Sequence, residues 1–388
     1  MNNISKSHQD SQEPLISVNL VVHNGEKYVR QCLDSVLRQT YKNIEVNILD
    51  NASTDKTLEI IKLEIENCLP ASRCEARRAG KLEIPNFSLI QSKRNWGTWP
   101  GQEELLKYSH GKYIVALSVD IILNENFVTE AVKVFEKDEQ VGAVQPKVFK
   151  YELNSLNAKR YPLNADIIDT CGFKIFRSRR IVNIGHGEKD CGQYDKDVSC
   201  FAKATQDTAK ICLKQIFAVE GAVPVLRRQA LDDCRLESQG GRIIDPDFFW
   251  YGDDLDLAWR MRLFGWKQVF APAAIAYHDR QTTKALAGGS WREFVKIRKT
   301  VPMFKRRLDW RNTTLAIIKN DFASNLLRDS YYILWRQLRL WGYFILFEPA
   351  MILEKFRVAK LLPKMLKRRG EIMRRVRVSA KEMRKWFG

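Results

Sequence analysis

Two strand–helix units at the start of the chain constrain its fold more than any other feature. The β-branched run 16–22 (ISVNLVV) and the run 44–49 (IEVNIL) each have the composition of a buried strand. Apolar residues at helical spacing follow over 29–37 and 57–66. Parallel strands need a long crossover between them, and a helix usually provides it. The sequence therefore predicts an α/β protein with a doubly wound, mostly parallel sheet.

Polar residues stand where three of the predicted strands end. His23 and Asn24 follow the first strand, and Asp50 and Asn51 close the second. Asp120 comes just after a later apolar run, YIVALS. In sheets of this kind ligands bind beyond the carboxyl ends of the strands. We therefore expect a binding site at this edge, although turn formation is an alternative role for such residues.

An acidic cluster opens the stretch GDDLDLAWRMRLFG. Asp253, Asp254 and Asp256 precede apolar residues at helical spacing, and Gly265 is placed to end that helix. The positive end of a helix dipole favours carboxylates, so ordinary capping is one interpretation and a catalytic group is the other. Arg260 is one turn beyond Asp256 and is placed to pair with it.

The basic charge of the chain is confined to its C-terminal quarter. Of 64 Lys/Arg and 46 Asp/Glu, residues 291–388 hold 25 and 8, so the rest of the chain is nearly neutral. The eight cysteines show no metal-binding or C-x-x-C spacing and indicate reduced thiols of a cytosolic protein. Residues 1–14 are polar, lack the apolar core of a signal peptide and predict a disordered leader.

Six motifs in one order resemble the family 2 glycosyltransferases with the GT-A fold. They read VVHNGEKYVRQCLDSVLRQTYKNIEVNILDNASTDKT, NWGTWPGQ, ALSVDIIL, EGAVPVLRR, YGDDLDLAWRMRLFGWK and HDR. They are most similar to those of bacterial rhamnosyltransferase-like members, and a catalytic domain over 15–320 is expected. The resemblance implies an inverting sugar transfer in polysaccharide or cell-envelope synthesis. The donor would be a nucleoside diphosphate sugar, dTDP-rhamnose before a UDP-sugar, and the acceptor a glycan or polyprenyl-linked sugar.

The same resemblance implies roles for the acidic residues. Asp254 would be the general base, with Asp253 beside it. Asp120 matches the last acid of the family's Asp-x-Asp motif, which binds Mg²⁺ or Mn²⁺, and Ser118 stands where the first acid is usual. His278 matches a histidine that completes the metal shell in some relatives. A strand-closing acid and a structural histidine are the alternatives for these last two.

The resemblance further implies a nucleotide and donor-sugar site. Backbone at the end of the first strand and the carboxylate after the second would hold base and ribose, and small residues would leave room for the sugar. Ordinary close packing is the alternative for those small residues. The implied contacts are Val22, His23, Asn24, Asp50, Asn51, Asn95, Gly97, Ser118, Val119, Gly221 and Ala222.

The basic region 321–388 contains the features of a membrane-surface segment. The apolar stretch 333–353 has no uncharged run longer than 340–347, far short of the ~20 residues that span a bilayer. Residues 353–388 carry 13 Lys/Arg against 3 Glu, interleaved with apolar residues. We expect 331–388 to bind an anionic membrane at the cytoplasmic face. Packing on the catalytic domain or another subunit is the first alternative and a nucleic-acid-binding tail the second, although no nucleic acid is expected.

A catalytically degenerate scaffold that binds glycan or membrane is the rival function. It rests on Ser118 and on the unusual GDDLD sequence. The presence of Asp120 and Asp254 favours an enzyme. The oligomeric state is left open.

Overall fold

The computed structural model describes residues 13–68, 86–153, 165–195, 213–280, 295 and 298–388. Of the expected leader, residues 1–14, only residues 13 and 14 are among the described residues. The first part alternates strands and helices as the sequence predicts. Its elements are β1 (Ile16–Val22), α1 (Val29–Leu37), β2 (Ile44–Asp50), α2 (Thr57–Cys68), β3 (Asn86–Gln91), α3 (Thr98–Leu105), β4 (Tyr113–Ser118), β5 (Ile121–Leu123), α4 (Phe127–Lys137) and β6 (Val141–Lys150).

The second part adds short strands and then helices alone. Two 3₁₀ turns, Glu237–Gln239 and Pro349–Met351, lie between these elements. The elements are β7 (Ile168–Thr170), β8 (Phe173–Ile175), β9 (Ile181–Asn183), β10 (Val225–Arg227), α5 (Arg228–Asp233), α6 (Asp253–Leu263), β11 (Lys267–His278), α7 (Met303–Asn320), α8 (Ala323–Arg328), α9 (Ser330–Phe347), α10 (Ile352–Arg375) and α11 (Ala380–Arg384).

One mixed sheet organises the described residues. Its strand order is β3-β2-β1-β4-β10-β6-β11-β5, and β7 pairs with β6. The half that contains β1 is parallel throughout: Ile16 lies opposite Ile44 of β2 and Tyr113 of β4. Antiparallel pairing begins at β10, which lies between β4 and β6. The expected parallel core is therefore present, with antiparallel strands joined to its second half.

Both faces of the sheet are covered. On β4, Ile114 and Ala116 belong to one buried apolar cluster, while Val115 and Leu117 belong to the other. A strand covered on both faces needs apolar residues at successive positions, which is why β1 and β4 are nearly continuous apolar runs.

The C-terminal helices share a buried core with the preceding part of the chain. Met365, Ile372 and Met383 are buried in the same cluster as the apolar side of α6. The sequence placed these three side chains on a membrane-facing surface. They are buried in the core instead, as the first alternative expected.

Helix α9, in contrast, has much of its apolar surface exposed. Several of its large apolar side chains are exposed, including Leu334 at 66%, Leu338 at 65% and Leu346 at 74%. Tyr343 and Phe344 on the other side of the helix are buried. No helix in the described part of the chain is long and apolar enough to cross a membrane.

Candidate active site

A cavity of about 610 Å³ opens at the carboxyl ends of β1, β2 and β4. Its position is the one predicted for a ligand in this kind of sheet. Most of the residues singled out from the sequence line it, namely His23, Asn24, Asn51, Asn95, Gly97, Ser118, Val119, Asp120, Gly221, Ala222, Asp253, Asp254 and His278.

Two of the predicted residues lie behind the cavity wall. The carbonyl oxygen of Val22 accepts a hydrogen bond from the backbone N–H of Asn51 at 2.7 Å. Asp50 is only 4% exposed, and its Oδ1 accepts from the backbone N–H of Ser53 at 3.2 Å. Neither is among the residues that line the cavity. Their contact with a nucleotide stays a prediction, and their visible role is to shape the loop after β2.

The side chain of Asn51 connects two loops of the cleft. Its Nδ2 donates to Asn95 Oδ1 at 3.0 Å and to the carbonyl oxygen of Gly97 at 3.1 Å. Its Oδ1 accepts from the backbone N–H of Trp96 at 2.9 Å. Gly97 has φ of 91°, and a Cβ there would lie 2.2 Å from the carbonyl oxygen of Phe249. Glycine is therefore required at this position by the neighbouring backbone as well as by its own conformation.

Five ionisable side chains are linked to one another at the cleft, in the order Asp120, His278, Asp169, Arg280 and Glu220. His278 Nε2 lies 3.3 Å from Asp120 Oδ2, and its Nδ1 lies 2.9 Å from Asp169 Oδ2. Arg280 donates from Nε to Asp169 at 2.9 Å and from Nη2 to Glu220 Oε1 at 2.9 Å. Burial alone would lower the pKa of His278, but the adjacent Asp120 and Asp169 outweigh it and raise that pKa to about 9.

The Asp120–His278 pair fits a divalent cation that is also bound by substrate oxygen atoms. Carboxylate and imidazole are both common metal ligands. Asp169 holds the far ring nitrogen of His278, as the carboxylates that orient metal-binding histidines do. Among the described residues no group of three His, Cys, Asp or Glu side chains could hold a metal by itself. The protein would therefore supply two side-chain ligands, and substrate or water the others.

The acidic cluster forms the start of α6, and its Asp253 and Asp254 line the same cleft as the Asp120–His278 pair. Asp254 Oδ2 accepts from the backbone N–H of Gly221 at 3.1 Å, and its Oδ1 accepts from that of Leu255 at 2.8 Å. Burial and the charge of Glu220 raise the pKa of Asp254 to about 7. Burial and the neighbouring Asp254 raise that of Asp253 to about 8.

Asp256 belongs to a buried ionic network and not to the cleft. It pairs with Arg260 at 3.3 Å, as the helical spacing predicts. Lys319 of α7 lies 2.7 Å from Asp256 Oδ2 and 2.7 Å from Asp245 Oδ2. Arg368 of α10 binds the other oxygen of Asp245 at 2.7 Å. The network ties the helix that bears Asp254 to the C-terminal helices.

Sequence reasoning missed several residues of the cleft. Arg280 and Glu220 belong to the motifs HDR and EGAVPVLRR but received no role, and Asp169, which holds His278 from behind the cavity, received none either. The aromatic part of the wall was also missed. Trp250 stacks on Tyr251 with ring centres 4.8 Å apart and lies 6.2 Å from the ring of Phe304. An aromatic run in FFWYGDD was visible, but Phe304 joins it only through the tertiary fold.

Comparison with solved structures defines the class of fold. The crystal structure of GalNAc-T7 with UDP, GalNAc and Mn²⁺ has a TM-score of 0.52 and 14% sequence identity to this chain. The similarity covers 80% of this chain and 48% of that one. The protein has the α/β GT-A fold that the motif order indicates.

Comparison with families and relatives shows similarity to glycosyltransferases. Residues 17–194 match the model for glycosyl transferase family 2. A chondroitin synthase of Pasteurella multocida (strain Pm70) is 31% identical over 131 residues, which are 34% of this chain and 12% of that protein. An uncharacterized glycosyltransferase of Rickettsia typhi (strain ATCC VR-144 / Wilmington) is 47% identical over 97 residues, or 25% of this chain and 30% of that protein. Residues 17–194 are thus similar to the family 2 glycosyltransferases, and the chain spans less than a third of either relative.

Proposed function

We propose that this protein is an inverting glycosyltransferase that moves a sugar from a nucleoside diphosphate to an acceptor hydroxyl. One observation carries the proposal: Asp120, His278 and Asp254 line the same cavity at the carboxyl edge of a GT-A sheet. Such a reaction needs charge stabilisation on the leaving diphosphate and a base for the acceptor proton. In this proposal the Asp120–His278 pair contributes to the charge stabilisation, and Asp254 is the base.

In this proposal Asp120 and His278 would hold Mg²⁺ or Mn²⁺, which when bound neutralises charge on the diphosphate. Asp169 keeps the ring of His278 in position. Asp254 takes the proton of the acceptor hydroxyl, and the backbone N–H of Gly221 fixes the direction in which its carboxylate points. Burial and the charge of Glu220 raise the pKa of Asp254, and Asp253 lies beside it.

The proposed donor is dTDP-rhamnose, with a UDP-sugar as the second candidate. Similarity to rhamnosyltransferase-like sequences favours dTDP-rhamnose, whereas the UDP in the GalNAc-T7 structure supports a UDP-sugar. Thermal shifts with dTDP, UDP and GDP, each with and without Mn²⁺, distinguish them without a known acceptor. We expect one pyrimidine nucleotide to raise Tm, and Mn²⁺ to enlarge that shift. Flat curves for all three would favour the rival function, a degenerate scaffold, for which Ser118 in place of an acid is the supporting feature.

The assignment of Asp254 is tested by turnover. Release of nucleoside diphosphate from the matching sugar nucleotide should fall by roughly 10²–10⁴-fold in Asp254→Asn. The nucleotide-induced thermal shift should remain, because the amide keeps the shape of the side chain. Asp232→Asn on the surface is the matched control and should retain full activity. Unchanged turnover in Asp254→Asn would refute its role as the base.

We further propose a glycan or polyprenyl-linked sugar as acceptor and a location at the cytoplasmic membrane surface. The support is an apolar and cationic C-terminal region beside the cleft. Phe304 of α7 lies in the cleft wall, and Arg298, close before α7, binds Glu348 at the end of α9 at 2.8 Å. An acceptor held at a lipid surface would therefore be near the cavity.

A further inference from the structure

One face of α9 is apolar and exposed along the whole helix. At about 3.6 residues per turn, positions 331, 334, 335, 338, 345 and 346 fall on one side of the helix and form a single stripe. Helices on a protein normally bury such a stripe. The large side chains of this stripe are Tyr331, Leu334, Trp335, Leu338, Ile345 and Leu346, exposed by 55–74%.

The exposed stripe continues onto the first turns of α10. Lys355 Nζ lies 5.6 Å from the ring centre of Trp341, so the start of α10 lies beside α9. Leu353 and Phe356 there are 54% and 68% exposed. The surface formed by the stripe and these turns is called the apolar face below.

The charge around the apolar face has one sign. The three acidic residues between 327 and 367 are Asp329, Glu348 and Glu354, which are 0%, 2% and 0% exposed and paired with arginines. Lysines and arginines of the same segment are exposed, among them Arg328, Arg339, Lys355, Lys360 and Lys367. The accessible surface of this segment is therefore apolar and cationic, with no carboxylate on it.

We propose that the apolar face binds an anionic phospholipid bilayer, with α9 lying in the plane of the interface. The apolar side chains would enter the acyl boundary and the cations would meet lipid phosphates. A second copy of the chain is a poorer occupant, because a twofold contact would oppose two surfaces of like charge. The inference refines the membrane location proposed above. It can fail while the proposed reaction stands, because binding to lipid is measured without donor or acceptor.

Flotation of the full chain with vesicles tests the proposal. The protein should float with phosphatidylcholine vesicles that contain roughly one third phosphatidylglycerol, and much less with phosphatidylcholine alone. High salt should weaken the binding, because it screens the cationic part. Failure to float with anionic vesicles would overturn the proposal.

Two variants locate the contact. Leu338→Gln combined with Leu346→Gln should lower partitioning at least about tenfold, because two apolar side chains no longer leave water. Lys360→Gln with Lys367→Gln should lower it roughly tenfold on anionic vesicles only. Both sets replace exposed residues by a good helix former, so Tm should hold.

Leu63→Gln is the matched control, because Leu63 is 43% exposed on α2. It should bind like the wild type. Wild-type binding by the leucine pair would overturn the proposal. So would a wild-type dimer in light scattering that the leucine pair converts to a monomer, because the face would then be an interface between copies.

Discussion

The backbone N–H of Gly221 donates to Asp254 Oδ2 over 3.1 Å and joins the segment before β10 to the start of α6. A Cβ at position 221 would lie 2.7 Å from that oxygen and 2.8 Å from Trp99 Nε1. The absence of a side chain at Gly221 thus allows the backbone to approach the carboxylate proposed as the base. The sequence indicated only that a small side chain was needed there.

Gly221→Ala should therefore displace Asp254 and reduce turnover by at least about tenfold, since small errors in placement are costly in catalysis. Nucleotide-induced thermal shifts should change little. Gly370→Ala in α10 is the matched control, because an added Cβ there would meet only the end of a flexible side chain beyond its own helix backbone, Arg374 Nη1 at 3.8 Å. Full activity in Gly221→Ala would show that the position of Asp254 is not critical.

The pKa of Asp254, raised to about 7 by burial and Glu220, sets the pH dependence of the reaction. A general base acts only when ionised. The value of kcat/KM should therefore rise about tenfold per pH unit below neutrality and level off above about pH 7. Initial rates of nucleoside diphosphate release from about pH 5.5 to about 8.5 measure this. A kcat/KM that does not fall between about pH 7 and about pH 5.5 would contradict the assignment of Asp254 as the base.

Asp253 should make the folded state less stable as the pH rises. Its pKa is raised to about 8 by burial and by Asp254, while an unfolded aspartate has a pKa of about 3.9. Between these values the native state binds more protons than the unfolded state, so the free energy of unfolding falls with increasing pH. Asp253→Asn should leave Tm near the wild-type value around pH 4 and raise it by roughly 2–6 °C around pH 8. An equal Tm difference between Asp253→Asn and the wild type around pH 4 and around pH 8 would mean that ionisation of Asp253 does not cause the difference.

Lys319 should be essential for stability through the ionic network it completes. It is fully buried and lies 2.7 Å from both Asp245 and Asp256. Lys319→Met leaves two buried carboxylates with less compensation and should cost ~3 kcal/mol. Chemical denaturation followed by circular dichroism measures the loss. Lys107, just after α3, is 65% exposed and paired with Glu104, so Lys107→Met should cost under about 0.5 kcal/mol. Equal costs for both variants would contradict the structural role of the network.

Much of the fold and the cleft could be predicted from local patterns. Continuous apolar strands between helical stripes specify a parallel sheet, and the topology of such a sheet places His23, Asn51 and Asp120 at one edge. The spacing of Asp256 and Arg260 predicted their ion pair, which the structure contains at 3.3 Å. The GT-A fold indicated by the motif order is confirmed as well.

The partners of these residues could not be predicted, because they come from distant parts of the chain. Asp169 reaches His278 across 109 positions, and Arg280 reaches Glu220 across 60. Phe304 joins the aromatic wall from a helix that the sequence places after the main motifs. No local periodicity carries information about such contacts.

In the C-terminal quarter, some features follow from the sequence alone and others depend on the tertiary structure. Its charge, its helices and the lack of a spanning length follow from composition and period alone. Composition and period do not determine which apolar side chains remain exposed. Met365 and Ile372 are buried against the domain, whereas Leu338 and Leu346 stay at the surface. Similar residues at similar spacing take different places because burial depends on the surface opposite each helix, and that surface exists only after the chain has folded.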